Sequence, residues 1–304
     1  MNQLISIVGP TAVGKTQLSL FLARQFSTEI ISTDSRQIYK GMDIGTAKPS
    51  LEELHLAPHH FINHLSPSLD YNAGKFEKEA DALIQQLFHQ HNSLISVGGS
   101  TLYINALWNG IDPMPDIPNE VRNQVRSEWQ NHGLIPLLEE LAKVDPETFE
   151  KIDRQNPSRV LRAIEVYRAC GTPISFYRKN RQAKKREYRL FKVGLQEERA
   201  ALYERINQRV DQMVQDGLIT EVEQLLATGI NPEANALQSI GYREIVQYLN
   251  QQHSLEEAKR LIKRNSRRYA KRQMTWFRRD KEIQWFPAGK YQEVLQWLGP
   301  QLAN

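Results

Sequence analysis

The stretch GPTAVGKT, from Gly9 to Thr16, constrains this chain more than any other part of it. It fits G-x-x-x-x-G-K-[ST], a loop whose backbone N–H groups cradle phosphate oxygens between a strand and a helix. Both flanks meet that requirement. QLISIV before the loop is a short apolar run, and Gly14–Phe26 after it carries Leu18, Phe21 and Leu22 at helical spacing. The glycines let main-chain donors converge on an anion, and the helix amino end adds positive potential. Lys15 is expected at the terminal phosphate and Thr16 at Mg²⁺. The motif alone names neither the phosphate compound nor the reaction.

Further strand-like runs follow at TEIIST, which ends at Asp34, at HFINHL and at SLISV. An amphipathic helix, Ala73–His89, carries Phe76, Ala80, Leu83, Ile84 and Leu87 on one face. Strands alternating with helices predict an α/β fold, a P-loop NTPase-like parallel sheet flanked by helices. The pattern then changes. NGIDPMPDIPNE has no periodicity and reads as a linker, and from Val121 to about Tyr177 only helices are predicted. EYRLFKVGL returns to strand character. Three long helices are expected next, over about 197–215, from 220 through NPEANALQSIGYREIVQYL, and over 255–277. A short strand, IQWF, and a helix, YQEVLQWLG, close the chain. The expected organisation is a core of residues 1–112 and 188–304 around an all-helical insertion, 113–187.

Composition narrows the function classes. At 304 residues and 40% hydrophobic content the chain has material for a sizeable core. A lone cysteine, Cys170, excludes an intrachain disulfide framework and is expected to be a buried structural thiol. No signal peptide and no apolar run of about 18 residues is visible, so a cytoplasmic monomer is expected. The net charge of +4 divides unevenly, −3 over residues 1–112 and +7 over 113–304. That asymmetry points to an anionic partner bound by the later part.

Several residues beyond the loop suit chemistry. Asp34 ends a strand at the carboxyl edge of the sheet, where open α/β sheets bind ligands. It suits a general base, a water-mediated Mg²⁺ partner or a turn cap. VGGSTLY places Gly98 and Gly99 after a strand, with Ser100 or Thr101 as a helix cap or a ligand donor. Arg243 follows Gly241 at a helix start and suits a phosphate clamp. Residues 259–281 carry 11 Lys/Arg against one Asp, with Arg260, Arg264, Arg267 and Lys271 along one helical face and Tyr269, Trp276 and Phe277 interleaved. Cations and rings together suit nucleic acid. A second basic run, 178–189, strengthens that reading. His55, His59, His60 and His64 make a poor metal set, because Pro58 breaks any helix that would align them.

Taken in order, GPTAVGKT, DSRQIYKGMDIGTAKP, APHHFIN, VGGSTLY, NPSRVLRAIEV, QSIGYRE and YAKRQMTWFR resemble the tRNA dimethylallyltransferase (isopentenyltransferase) family, from about Leu4 to Arg278. The stretch Asp34–Pro49 is the most diagnostic. The resemblance implies transfer of a dimethylallyl group from its pyrophosphate to N6 of adenosine 37, 3′ of the anticodon, without phosphoryl transfer. It implies that Gly9, Pro10, Thr11, Ala12, Val13, Gly14, Lys15 and Thr16 hold the pyrophosphate, Thr16 with Mg²⁺. It further implies Asp34 as base and Arg243 at the leaving group. By the same resemblance Ser35, Arg36, Gln37, Ser100, Arg122, Ser158, Arg159, Arg162, Lys271 and Arg272 contact tRNA, with the insertion gripping the anticodon stem-loop. One departure stands out: the family usually has Thr where this chain has Ser100. The competing readings are a small-molecule kinase, an isopentenyltransferase acting on free adenine nucleotides, and a non-catalytic nucleic-acid-binding protein. The basic helix and the insertion argue against the first two.

Overall fold

A computed structural model describes residues 1–112, 114–179 and 186–302. The chain forms two compact units, Met1–Asn109 with Lys185–Asn304, and Gly110–Lys184. Each boundary falls three residues before the expected one.

The first unit is built on a six-stranded, wholly parallel sheet in the order β3-β2-β4-β1-β5-β6. Its strands are β1 (Gln3–Val8), β2 (Ile30–Ser32), β3 (His59–His60), β4 (Ser93–Val97), β5 (Arg189–Gln196) and β6 (Gln284–Pro287). Between β1 and β4 run the helices α1 (Lys15–Phe26), α2 (Leu51–Leu56) and α3 (Ala73–Leu87), and α4 (Thr101–Asn109) follows β4. After β5 come α10 (Arg199–Gln215), α11 (Leu218–Ala227), α12 (Tyr242–Leu249), α13 (Leu255–Phe277) and α14 (Tyr291–Leu302). β1 lies at the centre, and all six of its residues are buried. That explains the near-continuous apolar run: helices cover both faces of a parallel sheet. Its two polar residues have partners. Gln3 donates to the Leu302 carbonyl at 3.1 Å, and Ser6 Oγ accepts from Trp108 Nε1 at 2.8 Å.

The second unit is helical. It comprises α5 (Asn119–His132), α6 (Ile135–Val144), α7 (Pro146–Lys151), α8 (Pro157–Cys170) and α9 (Ile174–Lys179). It has its own core, with Val125, Leu137, Leu141, Val160 and Ile164 fully buried. Arg168 bridges Glu128 and Glu140 across it.

Three expectations need correction. The helix expected to run on from 220 is broken. α11 ends at Ala227, and NPEANALQSIG forms turns before α12, because Pro232 and two glycines interrupt the ladder. α2 was not anticipated; Ser50 and Glu53 close a reciprocal capping box at its start. Cys170 is exposed, not buried, because it ends α8 beyond the last buried turn.

The longest irregular stretch, which follows Asp34, is anchored at Asp43–Gly45 by one carboxylate. Glu221 on α11 accepts from the backbone N–H groups of Asp43 and Ile44, each at 2.8 Å, and of Gly45 at 3.1 Å. It also accepts from the Tyr242 hydroxyl at 2.6 Å. Removing it strands four donors at once. Glu221→Ala should therefore lower stability by at least about 2 kcal/mol in urea unfolding, since each buried unsatisfied donor costs about 1–3 kcal/mol. A change under about 0.5 kcal/mol would show that the loop holds without it.

Candidate active site

The loops leaving β2, β4 and β1 meet at one edge of the sheet, the edge where open parallel sheets bind ligands. Gly9 leaves β1 at φ 145°, and a Cβ there would lie 2.6 Å from the Leu195 carbonyl oxygen on β5. Only glycine lets the loop pass that close. α1 begins without a side-chain cap and without an acidic residue in its first turn. Its free N–H groups and its dipole therefore stay available to an anion.

A cavity of about 260 Å³ opens over this end of α1, lined by the loop from Thr11 to Gln17 and by Asp34, His59 and Arg209. Lys15 Nζ donates to the Pro10 carbonyl at 2.7 Å. Its pKa falls to about 7, mainly through burial and then through the nearby Arg209 charge, with Asp34 opposing. Thr16 borders the same space with Asp34 and Glu53, a set of oxygen donors of the class that Mg²⁺ accepts. Among the described residues no group of three or more His, Cys, Asp or Glu side chains is arranged to hold a metal. A cation here would thus share its coordination with ligand oxygens.

Asp34 is held by one oxygen. Its Oδ1 accepts from the backbone N–H of Arg36 at 2.8 Å and of Gln37 at 3.3 Å. Among the described residues Oδ2 has no hydrogen-bond partner. The turn-cap and general-base readings are therefore compatible, one oxygen for each. A second cavity, of about 580 Å³, adjoins the first. Thr11, Asp34, Thr46, Ala47, Arg209 and Tyr269 border both. Burial pushes the Tyr269 hydroxyl up to about 12, so it stays protonated and donates to the Gly99 carbonyl at 3.3 Å.

The remaining expected residues fall into three sets. Ser35, Arg36, Ser100, Arg243 and Arg272 border the second cavity, where Arg268, not anticipated, joins them. Ser100 Oγ accepts from the Ser35 N–H at 2.9 Å and donates to Ser35 Oγ at 3.1 Å, so the hydroxyl that remains in place of the family's Thr ties two loops together. Arg36 donates to the Asn235 carbonyl at 2.7 Å. Gln37 spends its amide on the Thr46 and Ala47 carbonyls, at 3.2 and 3.1 Å, which shapes the loop. Lys271 is exposed on α13. Arg122, Ser158, Arg159 and Arg162 belong to the helical unit, Arg122 on α5 and the others at the start of α8, where Asn156 caps the helix.

Two placements differ from expectation. Arg243 pairs with Glu244 at 2.7 Å and borders the second cavity, not the phosphate-loop cavity. The arginine beside the phosphate loop is Arg209 on α10. The anticipated stripe on α13 is also largely occupied. Arg260 pairs with Glu257 at 2.6 Å, and Arg267 donates to Asn207 at 2.5 Å. The cations of α13 that reach the second cavity are Arg268 and Arg272. In the second basic run, residues 180–185 lie outside the described residues. Beyond them, Arg186 pairs with Asp81 at 2.8 Å and Arg189 donates to the Gln301 carbonyl at 3.2 Å.

Arg209 carries no sequence signal of its own, being one charge among many on an amphipathic helix. Gln273 did carry one. It stands in register with Ala270 and Phe277 on the buried side of α13, where a polar residue needs a reason.

The IPP transferase family model matches residues 37–280. A tRNA dimethylallyltransferase of Halothermothrix orenii is 45% identical over 296 residues, covering 96% of this chain and 90% of that one. The tRNA dimethylallyltransferase 1 of Bacteroides fragilis is 42% identical over 295 residues, 97% of each chain. Among solved structures, the full-length tRNA isopentenylpyrophosphate transferase of Bacillus halodurans matches with a TM-score of 0.73 at 37% identity, over 100% of this chain and 97% of that one. A eukaryotic dimethylallyltransferase described as acting on tRNA gives a TM-score of 0.80 at 28% identity, over 98% of this chain and 76% of that one.

The depressed Lys15 pKa has a measurable consequence. Above about pH 7 the free amine is largely neutral. A pyrophosphate beside it favours the ammonium, so binding draws a proton in. Calorimetry with inorganic pyrophosphate at about pH 8, in buffers of different ionisation enthalpy, should show proton uptake that Lys15→Met lacks. Equal uptake by both proteins would mean that Lys15 is already charged.

Proposed function

The chain belongs to the IPP transferase family, the tRNA dimethylallyltransferases, and on that premise we propose that it transfers the dimethylallyl group of dimethylallyl pyrophosphate to N6 of adenosine 37 in tRNA, 3′ of the anticodon. The observation that carries the reading is the shared wall. Asp34 stands where a phosphate-binding cavity and a larger neighbouring cavity meet. The pyrophosphate belongs in the first and the adenine in the second, with the allylic carbon between them.

The reaction breaks the bond from C1 of the donor to the pyrophosphate oxygen and forms one from C1 to N6. Negative charge builds on the leaving pyrophosphate. Lys15, Arg209 and the open amino end of α1 are fixed where that charge develops, and preorganised cations of this kind are worth several kcal/mol in a transition state. Thr16 would hold Mg²⁺ together with the pyrophosphate oxygens, and the bound ion would take up part of the same charge. The N6 amine gains a bond and must lose a proton. Asp34 Oδ2 receives it while Oδ1 stays bonded to the Arg36 N–H, so the base keeps its position as it takes up the proton. Arg243 then serves the acceptor side, beside Arg36, Arg268 and Arg272.

The adenine must leave its stack to reach Asp34, as base chemistry requires. The cations at the second cavity, with Lys271, suit the phosphates flanking a flipped nucleotide. Ser35, Arg36, Gln37 and Ser100 shape the acceptor entrance. Arg122, Ser158, Arg159 and Arg162 suit the anticodon stem-loop. No helix among the described residues is long and apolar enough to cross a membrane. A tRNA substrate suits an enzyme acting in the cytoplasm.

Nucleoside mass spectrometry tests the reading. Unmodified tRNA, dimethylallyl pyrophosphate and Mg²⁺, without ATP, should yield prenylated adenosine only at the position 3′ of the anticodon. ATP consumption with a small acceptor, and no modified adenosine, would favour a kinase instead. Asp34→Asn keeps an oxygen for the Arg36 and Gln37 N–H groups but loses the base. It should cut kcat on the order of 100-fold or more while leaving tRNA affinity within a few-fold. A collapse of tRNA binding would make Asp34 an acceptor contact.

A further inference from the structure

The basic helix α13 reaches two of the catalytic loops at once through a buried amide, Gln273. Gln273 is 2% exposed. Its Oε1 accepts from the Thr11 N–H in the phosphate loop at 2.9 Å, and its Nε2 donates to the Gly99 carbonyl at 2.8 Å. The partners lie 262 and 174 residues away in sequence. A Cβ at position 99 would fall 2.2 Å from Gln273 Nε2, so glycine is needed there for the contact to form at all. One turn back on the same helix, Tyr269 donates to the same carbonyl. The next residue after Gly99 is Ser100, whose hydroxyl accepts from the Ser35 N–H, beside Asp34.

We propose that Gln273 is a positioning residue that sets the phosphate loop, through Thr11, against the Asp34 segment, through Gly99 and Ser100. It thereby ties the donor cavity to the helix that carries Lys271 and Arg272. This rests on the transferase reading above and adds to it a residue whose amide is committed to two loops at the wall of the donor cavity.

The chemistry singles out an amide. One group must offer an acceptor to Thr11 and a donor to Gly99 at the same time. Methionine matches the length and offers neither. Ionised glutamate keeps the acceptor but sets a negative charge against a carbonyl oxygen. Protonated glutamate restores both, with a carbonyl for Thr11 and an O–H for Gly99. The cations of α13 lie on its other faces, so a change at 273 leaves them in place.

The test uses the full chain and three measurements: steady-state prenylation, affinity for an anticodon stem-loop RNA, and thermal unfolding. Gln273→Met should lower kcat/KM for the allylic donor at least tenfold. RNA affinity should stay within twofold and the melting temperature within a few degrees. Gln273→Glu should approach the native rate in acid and fall to the methionine level in alkali. Its rate is taken as a ratio to native, which removes pH effects common to both proteins, those of Lys15 and Tyr269 included. A methionine variant with native kcat/KM overturns the proposal. So does a glutamate variant whose ratio to native does not change with pH, or RNA affinity that falls in step with activity. If the methionine variant does not fold, the pH ratio of the glutamate variant decides alone. A native protein that makes no prenylated adenosine would overturn the transferase reading instead.

Discussion

The positive field at the amino end of α1 is the constraint to which the rest of the first unit answers. An uncapped helix start, a lysine short of solvent and Arg209 on α10 face the same small volume, and no carboxylate stands in the first turn of α1. Such an arrangement is costly without an anion. The surrounding structure keeps it in place. Gly9 lets the loop pass close to β5, and Gly99 leaves room for Gln273. The carboxylate nearest the cations, Asp34, has one oxygen committed to the backbone. Charge is concentrated where a leaving group would need it, and a single free carboxylate oxygen stands at the rim.

The loops around that field are held by side-chain hydrogen bonds to the backbone as well as by the buried Ile38, Tyr39 and Met42. Glu221 gathers three successive N–H groups, Gln37 holds two carbonyls, and Lys48 Nζ donates to Tyr39, Asp43 and Asn63. Each anchor is a charged or amide side chain with several partners: main-chain groups for Glu221 and Gln37, one carbonyl and two side-chain oxygens for Lys48. A long irregular segment keeps one conformation this way, because its polar backbone groups find partners within the protein. A site built so gains geometric definition, and every anchor becomes a point of failure.

Much of this was legible beforehand, for identifiable reasons. The phosphate loop is a local motif with its own flanking pattern, so the strand, loop and helix could be placed from consecutive residues. Asp34 followed from the rule that ligands sit at the carboxyl ends of parallel strands. The sheet alternation and the helical insertion were readable from periodicity. What escaped depends on distant contacts. Arg209 becomes a site residue only because α10 crosses the loop. Arg243 reads as a phosphate clamp in the sequence, and only the fold shows it paired with Glu244 at the second cavity. The stripe on α13 is regular in sequence, yet Glu257 and Asn207 occupy two of its members. Cys170 appeared apolar by residue type, but the helix ends where it stands. Charge and spacing are local properties; pairing is not.

The central strand has a further consequence, for the order of assembly. Gln3 pairs with Ser93 on one side and Arg189 on the other. β1 leaves the ribosome first and cannot complete its ladder until β5 has been made. The helical unit, with a core of its own, lies between them in the chain and is synthesised earlier than β5. Pairings this distant make for slow folding. A fully buried strand thus waits for its second partner through much of synthesis, which makes the interval before Arg189 emerges a time when a nascent chain is exposed to misassembly.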